Sequence, residues 1–208
     1  GMLANGDMGD GRMPDEELLF EYIVKEIASE QKIHFKLAEI KTEITREQLE
    51  HYMNAGKLHP LENAPDFTEK ELAELTRCIS VIGAEPYIKA IEEGAQVINA
   101  GRSSDTAIYA AVPKYYGLDN GFAWHAGKVL ECGTLSTVFE PRHGSILAWV
   151  RDDSVSIEPG DSEMAVSPVS IVSHTLYENS NPFRLVEPGC VMLTDESHYE
   201  AETERRVK

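Results

Sequence analysis

The sequence predicts an α/β fold: a mixed, three-layer-like domain with a largely parallel sheet in its first half and a strand-richer second half. Three observations predict it. Residues 33–40 alternate apolar and polar in the manner of a half-buried strand. Residues 85–116 run helix, short strand, glycine turn, helix, the order that builds a parallel sheet. From Ser145 onward the helical periodicity gives way to short runs rich in β-branched and aromatic residues.

Taken in order, residues 1–13 are rich in Gly, Asp and Asn and are expected to be a loop. Pro14 and the acidic Asp15-Glu16-Glu17 suit a helix start, and Leu18, Leu19, Tyr22, Ile23 and Ile27 recur at helical spacing to about Glu30. A strand follows over 33–40. Thr45-Arg46-Glu47-Gln48 reads as a capping box, with Gly56 closing its helix. Thr68-Glu69-Lys70-Glu71 is a second capping box; Leu72, Leu75, Cys78, Ile79 and Ile82 then suggest an apolar helix face ended by Gly83. Glu85-Pro86 opens a helix through Glu93, Gly94 ends it, and Gln96-Val97-Ile98-Asn99 is a short strand broken by Gly101. Ser103 or Ser104 is placed to cap a helix from Asp105 to Tyr116. A further helix is expected over 121–131, strands over 146–150 and 155–157 around the turn Arg151-Asp152-Asp153-Ser154, a helix over 168–179 and a strand over 190–193. No linker divides the chain, so residues 1–208 read as one domain with a change of texture near 140–145. The end, Glu204-Arg205-Arg206-Val207-Lys208, has no terminator and reads as a piece of something longer.

Composition narrows the function classes. Hydrophobic residues at 42% and charged residues at 26% describe a folded chain with a real core. A formal charge of -17 repels phosphate backbones, which argues against a nucleic-acid partner. No run approaches the ~20 apolar residues that span a bilayer, and the opening residues lack the basic and apolar regions of a signal peptide. Cys78, Cys132 and Cys190 are too few and too scattered for a disulfide framework, so the expected compartment is a reducing cytoplasm. P-loop, G-x-G-x-x-G, G-x-S-x-G and H-E-x-x-H motifs are missing from the sequence, which disfavours nucleotide hydrolysis, dinucleotide binding and zinc proteolysis.

Three clusters carry possible chemistry. Gly101-Arg102-Ser103-Ser104-Asp105 sits where an α/β sheet gathers ligands, beyond the carboxyl end of a strand. Gly101 permits close approach, Arg102 offers a planar donor fork for a carboxylate or phosphate, Ser103 and Ser104 bring hydroxyls, and Asp105 is a candidate base. The plainer reading is a capped helix with a surface ion pair. In the second cluster, His125, Lys128 and Glu131 lie one turn apart on a predicted helix. They suit proton transfer, or simply a polar outer stripe, with Cys132 a packed, unreactive thiol. In the third, His174 and Glu178 are i,i+4 with Asn179 beside them, a spacing that fits a hydrogen-bonded pair better than a metal site because further ligands are wanting. No metal is assigned, and no cofactor is identified.

Together these segments resemble the acyclic terpene utilisation family. The resemblance rests on Gly83-Ala84-Glu85-Pro86-Tyr87-Ile88-Lys89-Ala90, Glu93-Gly94-Ala95, Gly101-Arg102-Ser103-Ser104-Asp105, His125-Ala126-Gly127-Lys128 with Glu131-Cys132-Gly133, Ser173-His174-Thr175-Leu176-Tyr177-Glu178-Asn179, and Glu187-Pro188-Gly189. In order and spacing it spans roughly 83–200; the region before residue 30 matches less clearly. Members of that family are considerably longer. The resemblance implies a bacterial or fungal catabolic protein associated with breakdown of branched isoprenoid acids, and supplies no settled reaction.

Two functions follow as expectations. The first is an enzyme, a lyase (hydratase) or isomerase, moving protons on a carboxylate or acyl-CoA intermediate of branched or isoprenoid acid breakdown. Arg102 with the 103–105 amides, aided by Lys128, Glu178 and Asn179, would hold the small anionic substrate; Asp105, His125, Glu131 and His174 would move protons. The second is a non-catalytic subunit or scaffold of a catabolic complex. A homo-oligomer without nucleic-acid or membrane partners is expected. Convergence of Arg102, His125 and His174 on one pocket would favour the first.

Overall fold

The computed structural model describes residues 2–5, 16–61, 64–138, 144–176 and 181–208, with side chains from residue 20 onward. Its centre is a three-stranded parallel sheet of β1 (Met2–Asn5), β3 (Val97–Ala100) and β2 (Leu37–Ile40), in the order β1-β3-β2. Met2 and Leu37 both register with Val97, so β3 is flanked on each side by a parallel neighbour. All four β3 residues are buried, as the middle strand of such a sheet requires. The expected joining of the 33–40 and 96–100 regions in one sheet is met, with β2 shorter than the alternation suggests. Pairing starts only where β3 starts: the amides of Gln96 and Val97 close on the Lys36 carbonyl, and Ile33 stays exposed. Strand β1 was not anticipated within the glycine-rich opening.

Helix α1 (Glu16–Gln31) precedes β2. The first capping box forms as expected: Thr45 opens α2 (Arg46–Asn54), its side chain and that of Gln48 exchanging bonds with each other's amides, and Gly56 follows at φ +64°. The second forms too, but its helix α3 (Glu69–Glu74) ends eight residues early. Leu75 is extended, and 78–82 runs between two other segments: the Ile44 amide bonds to Cys78, Ser80 to Thr42, Ile82 to Arg102, and Ser104 to Ile82. These outward backbone bonds replace the helical ones, and Arg46 satisfies the carbonyls of Leu72 and Leu75 left at the helix end. The predicted helix face through Ile82 is therefore corrected to an extended connector.

Helices α4 (Glu85–Glu92), α5 (Asp105–Tyr115) and α6 (Asn120–Leu130) match expectation closely. After a short 3-10 turn at Gly133–Ser136 come an antiparallel pair, β4 (Ile146–Val150) and β5 (Val155–Pro159), then α7 (Pro168–Thr175). A second antiparallel hairpin, β6 (Arg184–Glu187) and β7 (Cys190–Leu193), turns at Gly189 with φ +78°. The early sheet is parallel and the later ones antiparallel, the division of texture read from the sequence.

Two apolar clusters hold these elements. The first joins Ile98 and Ala100 of β3 to Ala107, Ala110 and Ala111 of α5, with Tyr87, Trp124, Leu185 and Met192. The second gathers Val155, Ile157, Val166, Ile171 and Val207. Helix α6 belongs to both, giving Trp124 to the first and Ala126 and Val129 to the second. Among the described residues no helix is long and apolar enough to cross a membrane.

Candidate functional site

Where β3 ends, the chain is gripped from two sides. The Gly101 amide bonds to the Ile40 carbonyl at 2.9 Å and the Arg102 amide to Thr42 Oγ1 at 2.9 Å, while Ile82 brackets residues 102 and 104. This fixes the loop and turns its side chains in different directions. Ser103 is fully buried, and the Tyr87 hydroxyl donates to its Oγ at 2.9 Å. Burial raises the Tyr87 phenol above its ordinary pKa, so it stays a neutral donor. Ser104 occupies the N-cap position of α5 yet makes no side-chain cap; its hydroxyl instead donates to Glu187 Oε2.

Arg102 turns the other way. Its Nη1 lies 3.1 Å from Asp105 Oδ1, with the Asp105 side chain 55% exposed. The donor fork anticipated for an anion is thus engaged with the carboxylate three residues on, on the outer side of the loop.

The densest polar group lies between α5, α6 and the β6–β7 turn. Thr106, fully buried, places its hydroxyl 2.6 Å from Glu131 Oε2 and 3.1 Å from Glu187 Oε1. Glu131 Oε1 in turn accepts from Lys128 Nζ, and both of those side chains are about a tenth exposed. The result is one continuous chain: Lys128, Glu131, Thr106, Glu187, Ser104. A hydroxyl has one proton, so Thr106 serves only one carboxylate at a time, and a proton on either acid has a path to the other. Gly127 makes this geometry possible. A Cβ there would stand 2.6 Å from the Thr106 carbonyl, so only glycine lets α6 approach α5 closely enough.

The separated motif pieces meet here. Gly83 packs on the Pro188 carbonyl, which a Cβ would approach to 2.5 Å, and the Glu85 carboxylate lies beside Gly189. Lys114 pairs with Glu85 at 3.1 Å and stands 5.3 Å above the Trp124 ring. Of the residues singled out from sequence, Ser104, Lys128 and Glu131 come together. Thr106 and Glu187, which complete the group, were missed as site residues; the Glu187-Pro188-Gly189 motif was the available signal for one of them, and nothing marked Thr106.

The remaining predicted residues lie elsewhere. His125 shares α6 with Lys128 but faces the Tyr199 ring, 5.5 Å between centroids, and lines a cavity of about 1030 Å³. Burial lowers its pKa to about 4, so it is neutral near pH 7. His174 is buried on α7 beside the second apolar cluster, 5% exposed. Neither Arg102 nor His174 lines the His125 cavity, so the three do not converge there. Glu178 and Asn179 lie outside the described residues. Cys132 is exposed rather than packed, because α6 stops at Leu130 and the chain turns outward. Among the described residues, no three His, Cys, Asp or Glu side chains are grouped to hold a metal ion.

A family model described as acyclic terpene utilisation family protein AtuA matches residues 17–139. The match starts earlier than the resemblance read from the motifs, and stops before His174 and Glu187. Comparison with curated proteins and with solved structures gives no match. The matched segment covers more than half of the chain and contains Ser104, Thr106, Lys128 and Glu131, and on that footing the chain belongs to the acyclic terpene utilisation family.

Proposed function

We propose that this chain serves the utilisation of acyclic terpenes as an enzyme that moves a proton on a carboxylate or acyl-CoA intermediate of branched-acid breakdown. Isomerisation needs only such a transfer between two carbons, and hydration or dehydration couples it to making or breaking the carbon–oxygen bond to a water molecule. The observation that carries the reading is the Lys128–Glu131–Thr106–Glu187–Ser104 chain. Two carboxylates that share one hydroxyl, one of them held by a buried ammonium, form an acid–base pair able to give and recover a proton without bulk water. Glu131 is the base in this proposal, Thr106 and Glu187 pass the proton, and Lys128 holds Glu131. Arg102, on the outer side of the loop, would take the anionic end of the substrate in exchange for Asp105. His125 and His174 move from the proposed proton-transfer group to supporting positions.

The test is deuterium exchange. The full chain is incubated in heavy water with 3-methyl-branched 2-enoyl and acyl thioesters and the matching free acids, and carbon-bound deuterium is read by NMR. Exchange is expected with at least one of these compounds, slowed about 100-fold or more in Glu131→Gln with unchanged circular dichroism. Exchange as fast in Glu131→Gln as in the parent, or none across the set, overturns the proposal.

A second reading, a subunit or scaffold of a catabolic complex, is supported by the face of α1. Tyr22, Ile23 and Ile27 are 63%, 42% and 52% exposed, an apolar stripe of the kind that a neighbouring chain covers. Self-association that is lost in Ile23→Lys, together with no exchange activity, would select this reading.

A further inference from the structure

The cavity beside His125 is independent of the polar chain just described, although α6 and the β6–β7 hairpin contribute to both. Its accessible lining is apolar, with half-buried Phe122 of α6 and exposed Val191 and Leu193 of β7 over a packed base of Trp124, Ile157, Ile171, Met192 and Val207. At about 1030 Å³ it matches the space that a medium-sized organic ligand occupies. Its polar edge has a definite sign. Asp119, Asp153, Glu196 and Glu200 line the exposed margin, and the one ammonium among the lining residues, Lys208, lies 4.0 Å from Glu200. Asp119 is held there by the amides of Gly121 and Phe122, and Asp153 by the Ser154 hydroxyl. A carboxylate or phosphate entering this margin meets like charge.

Inside, the groups available to a ligand are neutral. His125 presents an uncharged imidazole, able to accept or donate one hydrogen bond. Tyr199, whose ring leans on it, keeps its phenol proton because burial raises its pKa against the opposing bonds from Thr175 and Ser197. Charge repels anions at the margin, the lining rewards hydrocarbon, and a single neutral heteroatom orients the guest.

We infer that this cavity is a binding site for an uncharged, largely hydrocarbon molecule with one hydroxyl or carbonyl at its end, which hydrogen-bonds His125 while the chain lies on Phe122, Val191 and Leu193. The site admits the neutral molecule and rejects its carboxylate counterpart. It therefore handles a different ligand class from the proton-transfer group.

The probes are 1-decanol and decanoate, which share a chain length and differ in head-group charge. Binding to the full chain at pH 7.5 is followed by tryptophan fluorescence, with intermolecular NOEs from the decanol methylenes to the Phe122 ring and the Leu193 methyls giving the location. Saturable decanol binding, NOEs to both residues, and decanoate weaker by about tenfold are expected, that ratio corresponding to about 1.4 kcal/mol. The gap should narrow as salt is raised from 10 to 300 mM, since the margin acts through solvent-exposed charge. Leu193→Asp, which puts a charge on the apolar lining, should weaken decanol at least tenfold. If that variant does not fold, the NOEs still decide the location. Equal binding of decanol and decanoate overturns the charge selection. Decanol binding without NOEs to Phe122, or no decanol binding at all, overturns the site.

Discussion

The two apolar clusters are made from different residues. Around β3 and α5 the buried surface is largely alanine: Ala84, Ala90, Ala100, Ala107, Ala110 and Ala111, with Tyr87 and Trp124 as its large members. Around β5 and α7 it is branched: Val155, Ile157, Val166, Ile171 and Val207. Alanine lets backbones approach until polar groups on facing helices meet, and the Thr106–Glu131 bond across the Gly127 contact is the outcome. Branched side chains fill the space between their own elements, and the His125 cavity lies where this cluster meets Trp124 and Met192 of the first. Close packing has left a seam of mutually bonded polar groups, whereas the junction of the two clusters has left space for a guest. One helix faces both, so polar chemistry and apolar binding are separated by the turns of α6 and not by a domain boundary.

The contrast can be broken most severely at the seam. Lys128→Met leaves Glu131 facing Thr106 without its cation and should cost about 3–5 kcal/mol in urea unfolding at pH 7. Adding Glu131→Gln should return a good part of that, because no buried charge then remains unpaired. A Lys128→Met loss below 1 kcal/mol would mean that the seam is wet and the ion pair solvated.

Paired truncations sharpen the packing difference. Ile98→Ala opens a hole in the tight cluster and is expected to cost about 4 kcal/mol, whereas Phe122→Ala removes a half-buried ring at the cavity and should cost about 2. Equal losses would show the two cores to be equally close-packed. The next effect is a pH dependence confined to the cavity side. His125 is neutral in the fold down to about pH 4, whereas the unfolded chain takes up its proton near 6.5. Below pH 6.5 the unfolded state therefore binds more protons, and stability falls as pH drops from 6.5 to about 4. Above 6.5 the group contributes nothing to the slope. Midway between those values close to one proton separates the two states, so a slope of about 1.4 kcal/mol per pH unit is expected. His125→Leu should remove that slope, and an unchanged slope would assign it to other groups. The smallest effect is expected at the outer side of the loop: Arg102→Lys should change stability by no more than about 0.5 kcal/mol, the range of an exposed pair. A loss of 2 kcal/mol there would make Arg102 part of the scaffold.

Elements with strong local signals were legible in the sequence. Thr45 and Thr68 announced their capping boxes, and the helix–strand–glycine–helix order from Glu85 to Tyr115 located β3, α5 and the loop between them. The overlong α3 arose because Leu72, Leu75, Cys78, Ile79 and Ile82 keep helical spacing while the backbone bonds of Cys78, Ser80 and Ile82 go to Ile44, Thr42, Arg102 and Ser104, partners that only the tertiary fold supplies. Strand β1 was hidden for the same reason, since four residues beside a glycine-rich run become a strand only against Val97–Ala100. At the site, Ser104, Lys128 and Glu131 were visible as polar residues near helix ends. Thr106 looks like any helical residue until Gly127 brings α6 onto it, and Glu187 joins from a hairpin more than fifty residues beyond α6.

The pairing of β3 with two strands that both precede it has a consequence for synthesis. Residues 2–5 and 37–40 leave the ribosome first and have no partner in this sheet until residues 97–100 follow. At about 5–20 residues per second the second strand waits roughly 3–12 s for its mate, and the first waits longer. Throughout that interval two strand edges are open to any neighbouring nascent chain. The parallel sheet is therefore the last part of the first half to be secured, and crowded expression should penalise this half of the chain first, through aggregation of chains that have not yet made Val97.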